Sequence, residues 1–199
     1  NAWQYTWLVP QDLDLLVECF GGVENTLERL DGLFTADTKM EGEDVTPDIS
    51  GLIGQYVHGN EPSHHIIYFY TMLGEPWKAA DRLYEVMTTM YSTEPDGLSG
   101  NEDVGQMSAW YVMTTLGFYP VEPASGKYVL GVPMVDGAEI DVEGGIFRVE
   151  RLGYSEANRY VQSVELNGVA LDRNYITHEE VIAGGLLKFN MGAEKSVWY

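Results

Sequence analysis

The sequence predicts a mostly α-helical protein that ends in a β-rich module. Up to Pro120, apolar residues recur three and four positions apart, which is the spacing of one helix face. After Pro123, short runs of β-branched and aromatic residues are separated by glycine-rich turns. The two prolines lie where the pattern changes. We therefore divide the chain into a helical part, residues 1–120, and a β-rich part, residues 121–199.

The helical part contains six segments with helical periodicity. They are Leu13–Phe20, Leu27–Phe34, Ile49–Val57, Pro62–Leu73, Pro76–Tyr91 and Gly105–Leu116. Pro62 and Pro76 lie at the first turns of their helices, where proline is tolerated. Glycines follow three of the predicted helix ends, at Gly21, Gly74 and Gly117. The acidic stretch Asp37–Pro47 lacks this periodicity and is predicted to be a loop.

The β-rich part contains five longer candidate strands and a short one, Val169–Leu171, that returns after a turn. The longer ones are Lys127–Gly131, Ala138–Val142, Ile146–Glu150, Gln162–Leu166 and Leu186–Asn190. Asn167-Gly168 is a strong hairpin signal, because both residues tolerate the left-handed conformation of a tight turn. Between the strands, Thr177 and Glu180 have the spacing of a helix-capping box.

Composition narrows the range of functions. The chain has 31 acidic and 11 basic residues and a formal charge of -20, which argues against binding to nucleic acid or to an anionic membrane surface. No apolar run reaches the roughly 18–20 residues that span a bilayer. Cys19 is the single cysteine, so a disulfide framework and a cysteine-based zinc site are excluded. Its apolar surroundings predict a core thiol.

The segment Gly100–Tyr111 contains the strongest candidates for catalytic or ligand-binding residues. Asn101, Glu102, Asp103 and Gln106 bring two amides and two carboxylates to a loop that enters a helix. A carboxylate at such a junction is held rigidly while it faces a cleft, as a general base or a calcium ligand must be. The alternative is that these acids only complement the helix N-terminus. Amides and carboxylates together also suit the hydroxyl groups of a polyol.

A second polar segment, His58–His65, combines an amide, a carboxylate and three imidazoles. Asn60 and Glu61 are candidate ligands, or alternatively caps of the helix that follows. His64 and His65 point to different helix faces, so we do not predict a transition-metal site. Trp3 is a candidate for stacking on a sugar ring, although aromatic residues are more often part of the core.

Three motifs, in this order, resemble those of glycoside hydrolase family 92. They are NAWQYTWLVP at residues 1–10, GNEPSHH at residues 59–65 and GNEDVGQMSAWY at residues 100–111. The resemblance implies a calcium-dependent exo-acting α-mannosidase that inverts the anomeric carbon and acts on mannose-containing glycans. It also implies an (α/α)6 toroid of helical hairpins, an N-terminal β-sandwich outside this chain, and a secreted or periplasmic location.

The resemblance also assigns roles to residues. Asp103 corresponds to the general base, and Asn101 to a position that is often a second Asp assisting that base. Glu61 and Asn60 correspond to the segment that faces Ca²⁺ and the bound mannose. We add Trp3 and Gln106 as substrate contacts. The family's general acid precedes the first motif, so we expect it upstream of Asn1, and we expect the isolated chain to be inactive.

Two other classes of protein remain open from the sequence. One is a non-catalytic carbohydrate-binding module that uses the same aromatic and acidic residues. The other is a helical interaction domain with an acidic surface.

Overall fold

The computed structural model describes residues 1–39 and 49–199. The loop predicted at Asp37–Pro47 therefore lies largely outside the described residues. Contacts within the chain divide it into two compact units, one formed by residues 1–67 and 84–110 and the other by residues 68–83 and 111–199. The predicted division after residue 120 stays a prediction. Within the described ranges, no helix is long and apolar enough to cross a membrane.

Four of the predicted helices are present in the described chain, at Leu13–Phe20, Val23–Thr35, Pro76–Thr89 and Gln106–Thr115. The α-helices of the described chain are α1 (Ala2–Tyr5), α2 (Leu13–Phe20), α3 (Val23–Thr35), α4 (Tyr68–Met72), α5 (Pro76–Thr89), α6 (Gln106–Thr115) and α7 (His178–Ile182). Helix α2 ends at Gly21, whose left-handed backbone (φ 81°) lets its N–H and that of the next residue cap the helix. Its buried face is Leu13 and Leu16. Cys19 is exposed, so the prediction of a core thiol is wrong, because this short helix buries only one stripe.

The predicted helix Ile49–Val57 is wrong. The residues from 52 to 57 form a tight hairpin of β1 (Leu52–Ile53) and β2 (Tyr56–Val57). Gly51 and Gly54 have φ angles of 67° and 58°, which a helix does not allow. A Cβ on Gly54 would lie 2.5 Å from the carbonyl oxygen of Leu33, so the hairpin turn lies directly against the end of α3.

The helix predicted from Pro62 to Leu73 is interrupted. A 3₁₀ turn, Glu61–Ser63, is followed by turns up to residue 67, and α4 begins at Tyr68. The backbone N–H groups of His64 and Ile66 bond three residues back, to Glu61 and Ser63, which is 3₁₀ rather than α geometry. The His65 side chain bonds to the carbonyl of Trp7, 58 residues away, and the His64 side chain bonds to the carbonyl of His58, six residues back. Side-chain contacts outside the turn therefore help to decide the conformation of this stretch.

The second unit contains the β-rich part as predicted. Its strands are β3 (Phe118–Tyr119), β4 (Lys127–Leu130), β5 (Gly137–Val142), β6 (Gly145–Leu152), β7 (Tyr160–Leu166), β8 (Val169–Ala170), β9 (Tyr175–Thr177) and β10 (Gly185–Gly192). One sheet has the order β5-β6-β10-β7-β8, with β6 and β10 parallel, and the other has the order β3-β4-β9. The core between these strands includes Phe147, Val164, Leu187 and Phe189, all fully buried.

Two local predictions in this unit are confirmed. β7 and β8 form an antiparallel pair around Asn167 and Gly168, whose φ angles of 53° and 80° are those of a type I′ turn. Thr177 and Glu180 form the capping box of α7.

Candidate active site

Asp103 lies in a loop with an unusual backbone. Asp103, Val104 and Gly105 have φ angles of 54°, 58° and 97°, so three consecutive residues are in the left-handed region. For a residue with a side chain this conformation costs about 1–3 kcal/mol, and Val104 is also β-branched and fully exposed. The loop therefore keeps its shape only because neighbouring contacts hold it.

Three hydrogen bonds hold the loop onto the start of α6. The backbone N–H of Gln106 donates to Asp103 O (3.1 Å), and that of Met107 donates to Glu102 O (3.3 Å). The Glu102 carboxylate accepts from the backbone N–H of Ser108 at 2.9 Å. Hydrogen bonds from Ser108 hold the pKa of Glu102 below its usual value. Glu102 is thus a cap of α6. The alternative interpretation, in which both acids only complement the helix N-terminus, therefore holds for Glu102.

Asp103 has a different environment from Glu102. Its side chain is half-buried, and it makes no hydrogen bond or ion pair with another described residue. Its charge is close enough to His64 to raise the pKa of that imidazole. Asn101, two residues earlier, is exposed. A carboxylate that is fixed through its backbone and lacks a side-chain partner is able to accept a proton from water.

Glycine residues bring the His58–His65 segment against this loop. A Cβ on Gly59 would lie 2.4 Å from Ser50 Oγ and 2.9 Å from Ser99 O. A Cβ on Gly100 would lie 2.8 Å from the same Ser50 Oγ, and 3.4 Å from Gly59 O. These distances leave no space for a side chain, so the two segments pass each other with their backbones nearly in contact. Asn60 and Asn101 directly follow the two glycines that meet.

Asn60 and Glu61 both have exposed side chains at this meeting point. Asn60 has an extended backbone and makes no side-chain capping bond, so the alternative that it caps the following helix is wrong. Glu61 opens the 3₁₀ turn with its carboxylate exposed. The structure therefore brings Asn60 and Glu61 close to the loop that carries Asn101 and Asp103.

His64 connects the two segments beneath these exposed groups. Its Nε2 lies 2.9 Å from His58 O, and because a carbonyl oxygen only accepts, Nε2 carries the proton and donates. Its Nδ1 lies 3.0 Å from Nε2 of Gln106, which donates to it. The indole N–H of Trp110 donates to the His64 carbonyl at 3.1 Å. These partners fit the neutral imidazole.

His58 belongs to the same buried network. Its Nδ1 is 3.0 Å from Tyr56 Oη and its Nε2 is 2.6 Å from Tyr91 Oη. Since Tyr91 donates its hydroxyl proton to Met107 O (3.3 Å), His58 Nε2 is the donor to Tyr91, and Tyr56 donates to Nδ1. The ring of His58 is also 4.3 Å from that of Trp110, in an edge-to-face arrangement. Every polar atom of this imidazole is satisfied while it is neutral.

Burial keeps both imidazoles neutral. Desolvation lowers the pKa of His58 from 6.5 to about 2, and the nearby His64 acts in the same direction. Desolvation lowers the pKa of His64 from 6.5 to about 4, although its bond to the His58 carbonyl and the charge of Asp103 oppose this. Neither imidazole is an acid or a base in the physiological range. They have a structural role around the candidate site.

Two of the predicted substrate contacts have other surroundings than expected, Gln106 within the site and Trp3 away from it. Gln106 is half-buried, and its amide is bonded to His64. Trp3 is 46% exposed and lines a cleft of about 650 Å³ in which none of the lining residues comes from the Asn60 or Asp103 segments. The lining residues are Ala2, Trp3, Thr6, Trp7, Phe20, Asn25, Glu28, Arg29 and Gly32. The roles of Gln106 and Trp3 in binding stay predictions.

Asn60 and Glu61 supply the type of ligand that Ca²⁺ takes, since both offer exposed oxygen atoms. Ca²⁺ needs about six to eight oxygen ligands. Among the residues that the structure describes, no group of three or more His, Cys, Asp or Glu is placed to hold a metal ion. Asn60 and Glu61 are thus two oxygen donors, fewer than a Ca²⁺ ion needs, and their role as calcium ligands stays a prediction.

Sequence patterns did not reveal the role of the buried histidines. The Tyr91 partner of His58 is 33 residues away, and the Gln106 partner of His64 is 42 residues away. The clustering of three histidines in eight residues was visible, but nothing in their spacing indicated which carbonyl and hydroxyl groups they meet.

Comparison with known proteins defines the class to which this fold and site belong. Residues 1–193 match the model of the glycosyl hydrolase family 92 catalytic domain, and the chain belongs to that family.

The structural likeness extends over nearly the whole chain. The family 92 α-mannosidase BT3965 of Bacteroides thetaiotaomicron, solved in complex with mannoimidazole, is 38% identical, with a TM-score of 0.88 over 98% of this chain. The inverting mannosidase BT2199 of the same organism is 35% identical, with a TM-score of 0.82 over 98% of this chain. An uncharacterized secreted glycosidase of Arthroderma benhamiae is 28% identical over the full length of this chain.

This chain is much shorter than these relatives. It spans 25% of the BT3965 chain, 27% of the BT2199 chain and 24% of the Arthroderma glycosidase.

Proposed function

We propose that the protein which carries this chain is an inverting α-mannosidase that removes terminal α-linked mannose from glycans. Membership of family 92 supports glycoside hydrolysis. The two similar solved structures, an α-mannosidase and an inverting mannosidase, support the sugar and the stereochemistry. Because this chain covers about a quarter of their length, the proposal concerns the whole protein.

Asp103 is the general base in this proposal. The observation that carries it is the contrast between two adjacent carboxylates. The Glu102 carboxylate is bonded to Ser108 at the start of α6, whereas Asp103 has a left-handed backbone and its carboxylate has no hydrogen-bonding partner in the described chain. Asp103 is therefore able to accept a proton from a water molecule, and such a base contributes about 10²–10⁴-fold to the rate.

The reaction requires two carboxyl groups on opposite sides of the sugar. Water attacks the anomeric carbon while Asp103 takes its proton. The bond from that carbon to the leaving oxygen breaks, and a carboxylic acid protonates this oxygen, so the configuration inverts. We propose that this acid comes from a part of the protein outside residues 1–199, as the family resemblance implies.

Asn101 assists the base without sharing its charge. It lies two residues before Asp103 and its amide is exposed. An amide offers one acceptor and two donors, so it can orient the water or a sugar hydroxyl. Unlike a second carboxylate, the neutral amide of Asn101 adds no negative charge beside Asp103.

We further propose that Glu61 and Asn60 contribute oxygen ligands to Ca²⁺ in the complete protein. The ion, when bound, would polarise and orient the hydroxyl groups of the sugar. The remaining ligands would be sugar hydroxyls, water and residues outside this chain. The helices of this chain would form part of an (α/α)6 toroid. A secreted or periplasmic location is supported by the secreted relative.

Substituting the two neighbouring acids separately tests this function. In the protein that carries this chain, Asp103→Asn should lower kcat for an α-mannoside by about 10²–10⁴-fold. Glu102→Gln is the matched control, because its amide oxygen still accepts the Ser108 bond, and it should keep kcat. If Asp103→Asn binds mannose but does not turn over, catalysis is supported. Unchanged turnover would remove Asp103 from the mechanism, and sugar binding without turnover in the unsubstituted protein would favour a binding module.

A further inference from the structure

We propose that His64 is a positioning residue that sets the place of Asp103 relative to Asn60 and Glu61, acting through the side chain of Gln106. This proposal rests on the proposed function, because it assigns a role to His64 in the same site. The resemblance described above assigns no role to His64. Its ring is buried, so it does not touch the substrate itself.

His64 is close in sequence to the two exposed residues Asn60 and Glu61. It follows Asn60 and Glu61 by three to four residues, at the end of the 3₁₀ turn, and its backbone N–H bonds to Glu61 O at 3.0 Å. Its ring reaches back to His58 O, which precedes Asn60. His64 is thus hydrogen-bonded to the residues on both sides of Asn60, namely His58 and Glu61.

Hydrogen bonds connect His64 to the loop that carries Asp103. Nδ1 of His64 accepts from the Gln106 amide at 3.0 Å, and the backbone N–H of the same Gln106 donates to Asp103 O at 3.1 Å. Gln106 is the first residue of α6, so anchoring it fixes the point at which the left-handed loop joins the helix. Trp110, one turn further along α6, donates to His64 O and provides a second attachment.

The loop that carries Asp103 needs such an attachment. The left-handed conformations of Asp103 and Val104 are unfavourable by themselves, so the loop relaxes if its attachment is lost. A shift of about 1 Å in a reacting group lowers a rate by about 10²-fold. A substitution of His64 therefore changes the rate of the chemical step by moving Asp103. It leaves the side chains of Asn60 and Glu61 in place.

Two substitutions at His64 separate its two hydrogen bonds. His64→Gln places an amide donor near the position of Nε2, so it keeps the bond to His58 O but loses the acceptor for Gln106. His64→Asn places an amide oxygen near the position of Nδ1, so it keeps the acceptor but loses the donor. Each removes one hydrogen bond of the buried ring, so the two should lower Tm by similar amounts.

The measurement is kcat, KM and Tm for both variants in the protein that carries this chain. We expect His64→Gln to lower kcat by about 10²-fold with little change in KM, and His64→Asn to recover most of this loss. A loss of kcat that follows Tm equally in the two variants would overturn the proposal, as would an unchanged kcat in His64→Gln.

Gln106→Leu keeps the proposal testable if a His64 variant fails to fold. It removes the amide donor from a half-buried side chain and should reproduce the kcat loss of His64→Gln. The double variant should lose no more than either single one, because both remove the same link. Full activity of Gln106→Leu would contradict the proposal. If Asp103→Asn is inactive while these variants are fully active, the positioning role fails and the general base stands.

Discussion

The Glu102 carboxylate accepts a hydrogen bond from the backbone N–H of Ser108 at 2.9 Å, so this acid caps the start of helix α6. Asp103, the next residue, has no such partner among the described residues. Two adjacent acids that look equivalent in the sequence thus have different tasks. One stabilises the helix start, and the other is available for chemistry.

The left-handed backbone of Val104 predicts that a glycine would be more stable there. Glycine adopts φ 58° without the steric penalty of a β-branched side chain. We expect Val104→Gly to raise the free energy of unfolding by about 1 kcal/mol, after the larger entropy of the unfolded glycine is subtracted. Chemical denaturation measures this change. Val104→Ala keeps a Cβ and should gain less, and equal or lower stability of the glycine variant would show that the loop is unstrained.

The close approach at Gly59 predicts a large effect of a single methyl group. The Cβ of Gly59→Ala would lie 2.9 Å from two backbone oxygens, those of Ser50 and Ser99, neither of which is a flexible side chain. We expect a loss of stability of about 1–3 kcal/mol and a lower kcat, because the Asn60 and Asp103 segments are forced apart.

Gly137→Ala is the matched control for Gly59→Ala. Its Cβ would lie 3.6 Å from Val149 O, an ordinary contact on the edge strand β5. Thermal unfolding should show a change below about 0.5 kcal/mol in this variant. Equal effects of the two substitutions would contradict the tight meeting point at Gly59.

The neutral state of His64 predicts how stability depends on pH. Its pKa is about 4 when folded and 6.5 as an ordinary imidazole, so below pH 6.5 the unfolded chain binds more protons. Stability is therefore present above about pH 6.5 and is lost as the pH falls toward 4, at up to about 1.4 kcal/mol per pH unit for one group.

His64→Asn isolates this contribution, because asparagine does not titrate. Denaturation at several pH values between 4 and 7 should give a shallower loss of stability for the variant than for the unsubstituted chain. Identical slopes would mean that His64 is not held neutral in the folded state.

Removal of calcium should lower activity if Glu61 and Asn60 are ligands. We expect a chelator to reduce kcat/KM and added Ca²⁺ to restore it. Glu61→Gln removes one negative oxygen donor from an exposed position and should raise the Ca²⁺ concentration for half-maximal activity by about tenfold, without changing Tm. Glu139→Gln, at an exposed position of β5, should have no effect. If the activity of the unsubstituted protein, Glu61→Gln and Glu139→Gln is independent of calcium, Asn60 and Glu61 are not calcium ligands.

Local signals in the sequence predicted the elements that depend on local physics. The end of α2 at Gly21, the turn at Asn167-Gly168 and the capping box at Thr177 each depend on the backbone preferences of residues close in sequence. The hairpin at residues 52–57 was mistaken for a helix, because its apolar residues recur at helical spacing. The left-handed backbone of Gly51 and Gly54, and the contact of Gly54 with the end of α3, favour a hairpin instead of a helix.

The candidate site could be predicted only in part, for the same physical reason. Asp103, Asn101, Asn60 and Glu61 lie in motifs that resemble a known family, so their types and order were informative. The fixed positions of these residues depend on the close contact between Gly59 and Gly100 and on the bond between His64 and Gln106. Partners 41 and 42 residues apart are brought together by folding, and no local pattern shows such a pairing.

Azide rescue of an Asp103→Ala variant tests the general base most directly. Azide attacks the anomeric carbon without losing a proton, so it needs no base, while the leaving oxygen is still protonated by the acid. The account predicts that Asp103→Ala is nearly inactive in water and that azide restores turnover of an activated α-mannoside, giving the β-mannosyl azide. Turnover in water at the unsubstituted rate, or no azide product from a folded variant that binds mannose, would contradict the assignment of Asp103 as the base.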